Sequence, residues 1–122
     1  MILVDTSAWV AHFRKGGSRL GELLSEGLVI VHPFVIGELA CANLKNRARI
    51  LSDLEALPSA VSATHEEVMR LIEDRKLWGL GIGWIDVHLL ASALLSHCQF
   101  WTLDRRLDRA AAAAWVKLYP RA

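Results

Sequence analysis

Four acidic residues stand at the ends of apolar segments or at the starts of the helical segments that follow, in the order Asp5, Glu38, Asp86 and Asp104. In an open parallel sheet, residues that directly follow a strand converge beyond the carboxyl ends of the strands. Carboxylates gathered there repel one another, and a hard divalent cation with oxygen ligands is the usual resolution. The pattern therefore predicts a magnesium or manganese site.

Asp86 is the most informative of the four acids. At helical spacing it shares a face with Leu89 and Leu90, which belong in a protein core. An unpaired buried charge costs several kcal/mol, so this carboxylate must be protonated, paired or bound to a cation. A helix cap or one salt bridge explains Asp86 alone as well as a metal does, but the four acids together favour the metal.

Such a cluster would assist phosphodiester hydrolysis, because bound ions polarise phosphoryl oxygens and lower the pKa of a bound water. Thr6, Ser7 and Thr102 lie beside the acids, where hydroxyl groups orient carboxylates or water. Thr6 or Ser7 could equally cap the first helix. The histidines show no zinc-ligand spacing, and His88, two positions past Asp86, is interpreted as structural.

Strand-like and helix-like segments alternate along the chain. This order predicts an α/β sandwich with a parallel sheet and right-handed crossovers. The clearest helix begins at Thr64, which has capping-box spacing to Glu67, and closes at Gly79. The strands are predicted at 2–4, 28–31, 60–63, 99–102 and 116–119, and the helices at 6–14, 18–26, 33–46, 48–56, 64–79, 84–98 and 105–115.

Length and composition indicate one globular domain, residues 1–122, with 53% hydrophobic and 22% charged residues. No basic leader or membrane-length apolar run is present, so we expect a soluble, cytoplasmic protein. Cys41 and Cys98 form no CxxC pair and are predicted to be buried thiols. A net charge of +1 leaves any contact with a polyanion to local basic patches.

Four short motifs, "LVDTSAW", "IGEL", "WIDVHLLASAL" and "WTLDRRL", resemble the PIN-domain endoribonucleases, specifically the VapC-type toxins of bacterial toxin-antitoxin pairs. The resemblance implies a three-layer α/β/α PIN fold with a mainly parallel sheet of about five strands. It also implies magnesium- or manganese-dependent RNA cleavage, a homodimer and a cognate VapB-type antitoxin. On this resemblance the catalytic cluster is Asp5, Glu38, Asp86 and Asp104, its metal ligands are the three aspartates, and Thr6 or Thr102 is a polar neighbour.

Two positions depart from the family pattern. Ala42 stands where many members have glycine, and Arg106 stands where many have a further acid. Asp108, one helical turn beyond Asp104, could take the place of that acid, although a solvated surface position is the favoured interpretation. The basic residues expected to grip RNA phosphates beside the acids are Arg14, Lys15, Arg105 and Arg106.

Aromatic residues are numerous for a small domain. Core packing explains most of them, but an antitoxin helix or a second subunit would also bury such side chains in a groove. The first four of the set lie on or beside helices predicted to be partly exposed. The set is Trp9, Phe13, Trp78, Trp84 and Trp101.

Other protein classes fit less well. A phospho-acceptor receiver domain requires adjacent acids after the first strand, but Thr6 follows Asp5. A haloacid-dehalogenase phosphatase requires a second aspartate where Ser7 stands. The remaining alternative to a nuclease is a non-catalytic PIN-like binding module, whose acidic pocket holds a structural cation or an antitoxin arginine.

Overall fold

A parallel three-stranded sheet organises the chain. The computed structural model describes residues 1–16 and 19–120. Its strands are β1 (Ile2–Val4), β2 (Val29–Ile30) and β3 (Gln99–Trp101), in the order β2-β1-β3. Leu3 of β1 pairs with Ile30 on one side and with Phe100 on the other, both in parallel register. Helices flank this sheet, so the predicted three-layer α/β/α sandwich is confirmed.

Every helix predicted from the sequence is present, with shifted ends. Thr64 and Glu67 form the predicted capping box, with hydrogen bonds of 2.8 and 3.1 Å. The predicted start of the second helix at residue 18 lies outside the described residues. The helices are α1 (Thr6–Lys15), α2 (Arg19–Ser25), α3 (Pro33–Ala40), α4 (Arg47–Glu55), α5 (His65–Arg75), α6 (Trp84–Leu95) and α7 (Arg105–Ala113).

Three predicted helices are too long, because turns end them earlier. The third stops at Ala40 instead of continuing towards Asn46, which has a left-handed backbone with a φ of 56°. The fifth stops at Arg75, ahead of Gly79, because Lys76 is left-handed with a φ of 53°. The sixth stops at Leu95, before the predicted end at residue 98. Apolar periodicity continued past these turns and did not reveal them.

The prediction of five strands is wrong for the described residues, since 60–63 and 116–119 form no strand. A single bridge joins Val31 to Ser59, directly before the first region, and another joins Phe100 to Leu118 within the second. The first pairing ends because the Val61 N–H donates to Ser96 Oγ at 2.8 Å instead of to a strand. The second consists of two hydrogen bonds, from Phe100 N to Lys117 O and from Tyr119 N to Phe100 O, both at 2.9 Å.

The core surrounds β1 and α6. Leu3 and Val4 are fully buried, and α6 is buried at every residue from Val87 to Ala93, as its apolar sequence predicts. Cys98 is a buried thiol as predicted, but the prediction for Cys41 is wrong, since this residue caps the end of α3 and is exposed. Among the described residues, no helix has the length and apolarity needed to cross a membrane.

Candidate active site

Asp5 lies at the carboxyl end of β1 and at the start of α1. It is only 6% exposed, and its backbone N–H donates to Trp101 O at 2.8 Å, which holds it between β1 and β3. Although Asp5 occupies the N-cap position, its side chain makes no capping hydrogen bond. The helix start therefore leaves this buried carboxylate available for other contacts.

Two hydroxyl groups hold one oxygen of Asp5. Ser7 Oγ and Thr102 Oγ1 each donate to Asp5 Oδ2 at 2.7 Å. They accept hydrogen bonds in turn, Ser7 Oγ from Leu103 N and Thr102 Oγ1 from Asp104 N, both at 3.0 Å. Because a hydroxyl has one hydrogen, the 3.3 Å between the two hydroxyl oxygens is a contact and not another hydrogen bond. Asp5 Oδ1 receives no hydrogen bond from the described residues.

Neither hydroxyl considered as a possible cap of the first helix acts as one. Ser7 Oγ donates to the Asp5 carboxylate, and Thr6 Oγ1 donates to Glu38 Oε1 at 2.6 Å. Glu38 is exposed on the second turn of α3, and α1 and α3 pack together. Thr6 therefore connects Glu38 to the helix that begins at Asp5.

Asp86 lies in the first turn of α6 and turns back to accept a hydrogen bond from Gly83 N at 2.9 Å. Burial raises the pKa of the Asp86 carboxyl, and the charges of Asp5 and Asp104 raise it further, while the Gly83 N–H opposes them. The three aspartates are thus close enough to interact electrostatically, as expected for carboxylates that share one site.

Asp104 has a structural role that the sequence analysis did not assign. It is the N-cap of α7, and its Oδ1 accepts from Arg106 N at 2.9 Å and from Leu107 N at 3.4 Å. The signal for this cap was present, since an aspartate directly precedes the helical segment. Asp104 therefore combines a cap with its electrostatic influence on Asp86.

The four predicted phosphate-binding residues fall into two groups. Arg105 and Arg106 open α7, directly after Asp104. Arg14 and Lys15 end α1, roughly 13–15 Å along the helix axis from Asp5. The structure therefore brings only the first pair to the acidic edge of the sheet.

The side chain of Arg106 crosses the loop before α6. A Cβ atom added to Gly81 would lie 2.7 Å from Arg106 Cδ, and the φ of Gly81 is +78°. A larger residue here would adopt an unfavourable positive φ, and its Cβ would require the flexible Arg106 side chain to shift. The sequence analysis identified the stretch "GLGIG" as a flexible approach to the helix, but not this contact.

The donor set suits a hard divalent cation. Carboxylate and hydroxyl oxygens are the ligands that magnesium and manganese prefer, and zinc would require histidine or cysteine. The charges of Asp5 and Asp104 repel the Asp86 carboxylate, and Asp5 Oδ1 receives no hydrogen bond from the described residues. A cation would neutralise this negative charge. In residues 1–16 and 19–120, however, no three His, Cys, Asp or Glu side chains already stand in a metal-binding arrangement.

Solved structures share this fold at low sequence identity. FitAcB from Neisseria gonorrhoeae aligns with a TM-score of 0.66 and 19% identity, covering 98% of this chain and 97% of that chain. PAE2754 from Pyrobaculum aerophilum aligns with a TM-score of 0.62 and 19% identity, covering 89% of this chain and 78% of that chain. These likenesses concern the fold alone.

Sequence comparison gives the family. Residues 2–113 match the PIN domain. Ribonuclease VapC32 of Mycobacterium tuberculosis, from strains CDC 1551 / Oshkosh and ATCC 25618 / H37Rv, is 45% identical over 119 residues, covering 97% of this chain and 96% of the relative. A buried aspartate after β1, with further acids at the starts of α6 and α7, agrees with the motifs that first indicated this family. The chain therefore belongs to the PIN-domain family, as a member of the VapC type.

Proposed function

We propose that this protein is a metal-dependent endoribonuclease, the toxin component of a type II toxin-antitoxin system in the cytoplasm. The observation that carries the proposal is Asp5, a buried carboxylate whose Oδ2 is held by two hydroxyls and whose charge raises the pKa of Asp86. The printed name of its 45% identical relatives, Ribonuclease VapC32, supports RNA as the substrate.

The residues that would hold magnesium or manganese are Asp5, Asp86 and Asp104. Bound there, the ion would supply a water of lowered pKa and stabilise negative charge on the phosphoryl group. Ser7 and Thr102 fix the direction of the Asp5 carboxylate, so little reorganisation is needed when substrate binds. Preorganised charge of this kind is the main contribution that these side chains make.

Glu38 is placed to handle a proton. Thr6 holds its Oε1, and its Oε2 has no hydrogen-bond partner among the described residues. We assign Glu38 Oε2 as the general base that accepts a proton from the attacking water. Its exposure leaves room for that water and for the RNA.

Basic residues would bind the RNA backbone on both sides of the acids. Arg105 and Arg106 are exposed at the start of α7 and would contact the phosphates nearest the cleaved bond. Arg14 and Lys15 lie further out and would contact more distant phosphates.

The partner proposed for this chain is a VapB-type antitoxin. Of the aromatics predicted to be exposed, Trp9 is buried at 2% exposure, because it packs under α4, while Phe13 stacks on its ring at 5.7 Å. These two rings form the floor of an apolar pocket between α1, α2 and α4, a suitable site for an antitoxin helix. The other lining residues are His12, Leu24, Ile50, Asp53, Leu54 and Leu57. A homodimer completes the proposed assembly.

Cleavage of RNA by purified protein, with and without added Mn²⁺, tests the proposed function. Wild type should cleave only with the metal, and folded Asp5→Asn and Asp86→Asn variants should lose activity. Asp74→Asn, an exposed acid on α5, is the matched control and should cleave like wild type. Equal residual cleavage in all variants would indicate a contaminant. Antitoxin binding without any cleavage would instead support the non-catalytic binding module.

A further inference from the structure

Five aromatic rings form a continuous array beside the acidic cluster. Their centroids are separated by 5.1 Å from His65 to Trp84, 4.9 Å from Trp84 to His88, 4.9 Å from His88 to Phe34, and 4.9 Å from Phe34 to His32. We call these five residues the aromatic array. The array connects the starts of α5, α6 and α3.

The array adjoins the candidate active site. Phe34 precedes Glu38 by four residues on α3, so the two side chains lie on one helix face, roughly 5–6 Å apart at Cβ. Trp84 begins α6, the helix that also carries Asp86. The acids and the rings therefore occupy the same edge of the sheet.

Three rings of the array reach solvent, namely His65, Phe34 and Trp84. Phe34 is 39% exposed and Trp84 is 40% exposed, whereas His88 and His32 are 8% and 1% exposed and support them from beneath. Each of these two rings packs against a buried imidazole, which limits its rotation, so it loses little entropy when another flat group stacks on it.

The deepest supporting imidazole, His32, is uncharged at neutral pH. Burial, and to a smaller extent His88, lowers the pKa of His32 to about 4. His32 Nδ1 accepts from Phe34 N at 2.9 Å, so the ring proton is on Nε2, a buried atom without a partner in the described chain. A neutral π surface beside carboxylates suits the uncharged face of a nucleobase better than a phosphate.

We propose that Phe34 and Trp84 form a stacking subsite for an unpaired base next to the cleaved bond. This inference rests on the proposed ribonuclease function. Sequence-tolerant stacking on aromatic side chains is a common way to bind single-stranded nucleic acid, and bases within a duplex cannot use it. The acids then act on the backbone while the rings hold the base.

Steady-state cleavage of a short single-stranded RNA tests the subsite in Phe34→Leu and Trp84→Leu variants. Leucine keeps apolar bulk and removes the ring. We expect KM to rise roughly 10-fold in each variant with kcat little changed, from the usual contribution of one stacked base. Trp84→Phe should restore most of the affinity. Trp115→Leu is the matched control, because this 75% exposed ring lies near Met1 and Gln99, at the amino ends of the strands.

A substrate that is abasic beside the mapped cleavage site provides a second measurement. The affinity of wild type should fall on this substrate by about as much as the leucine substitutions lower the affinity for intact RNA. The leucine variants should bind the abasic substrate and intact RNA almost equally well. An unchanged KM in both leucine variants would overturn the proposal. So would a loss of affinity from the abasic substrate that adds in full to the loss caused by a leucine substitution. So would a dimeric wild type with monomeric leucine variants, because the array would then be a subunit contact.

Failure of the subsite can be separated from failure of the proposed function. If wild type cleaves no RNA, the ribonuclease proposal fails, and stacking is still measured by fluorescence quenching on addition of a single-stranded oligonucleotide. Quenching that is lost in Trp84→Phe, and absent with an abasic chain, supports the subsite. Equal quenching by both chains overturns it.

Discussion

Replacing Thr102 by valine tests the hydroxyl network directly. Thr102 is 3% exposed, and its Oγ1 donates to Asp5 Oδ2 at 2.7 Å and accepts from Asp104 N at 3.0 Å. Valine has nearly the same shape, so it removes both hydrogen bonds without opening a cavity. A bond to a charged group contributes about 1.5–3 kcal/mol and a neutral one about 0.5–1.5 kcal/mol. The free energy of unfolding should therefore fall by about 2–4 kcal/mol.

Urea unfolding followed by circular dichroism measures this change, and Thr102→Ser is the matched control. Serine keeps the hydroxyl and loses a buried methyl group, which costs about 1 kcal/mol. Valine should therefore be the more destabilising substitution, with Tm lower by roughly 8–16 °C for a chain of this size. If serine destabilises as much as valine or more, packing and not the hydroxyl holds this site together, and the reasoning is refuted.

The same pair of variants separates positioning of Asp5 from simple stability. Loss of a group that orients a metal ligand typically lowers metal affinity or activity by about 10–100-fold. A Mn²⁺ titration of RNA cleavage, at a temperature where both variants are folded, should show this shift in Thr102→Val and only a small one in Thr102→Ser. Equal metal dependence in the two variants would contradict the assigned role.

Three further substitutions have distinct expected outcomes. Asp86→Asn should abolish cleavage and raise the free energy of unfolding at neutral pH by about 0.5–2 kcal/mol. Because the pKa of Asp86 is raised on folding, its charge costs stability above that pKa, and the gain should vanish on acidification below the unfolded value. Thr6→Val, which frees exposed Glu38, should lower kcat while urea unfolding shifts by less than about 1 kcal/mol. Gly81→Ala should lower Tm more than Gly79→Ala, since both have positive φ but only Gly81 meets a side chain; equal Tm values would refute the close approach.

Local signals in the sequence were sufficient to predict that each helix is present. They were insufficient to predict the pairing at the edges of the sheet. The capping box of Thr64 and the apolar run of α6 act within a few residues, so both were predicted correctly. The residues at 60–63 have strand-like composition, but Val61 bonds to a serine side chain 35 residues away. Pairing of an edge segment depends on such distant partners, which no local pattern reveals.

The candidate site divides in the same way. The types and order of the acids predicted that they would gather, and Asp5, Asp86 and Asp104 do lie within electrostatic range of one another, while the chemistry of the site stays a prediction. The place of Asp104 directly before a helical segment signalled its cap of α7, but the sequence analysis did not assign that role. The position of Arg14 and Lys15 at the far end of α1 depends on the direction in which α1 runs.

The sequence by itself determined that carboxylates would follow the strands of a parallel sheet, because chain order and apolar pattern are enough to specify that topology. Only the tertiary structure decided which hydroxyl serves which acid, since Thr102 and Asp5 are 97 positions apart and meet through the pairing of β1 with β3. The aromatic array was likewise decided by packing, because the contacts that join its segments, Phe34 with His88 and His65 with Trp84, link three helices that no local pattern relates.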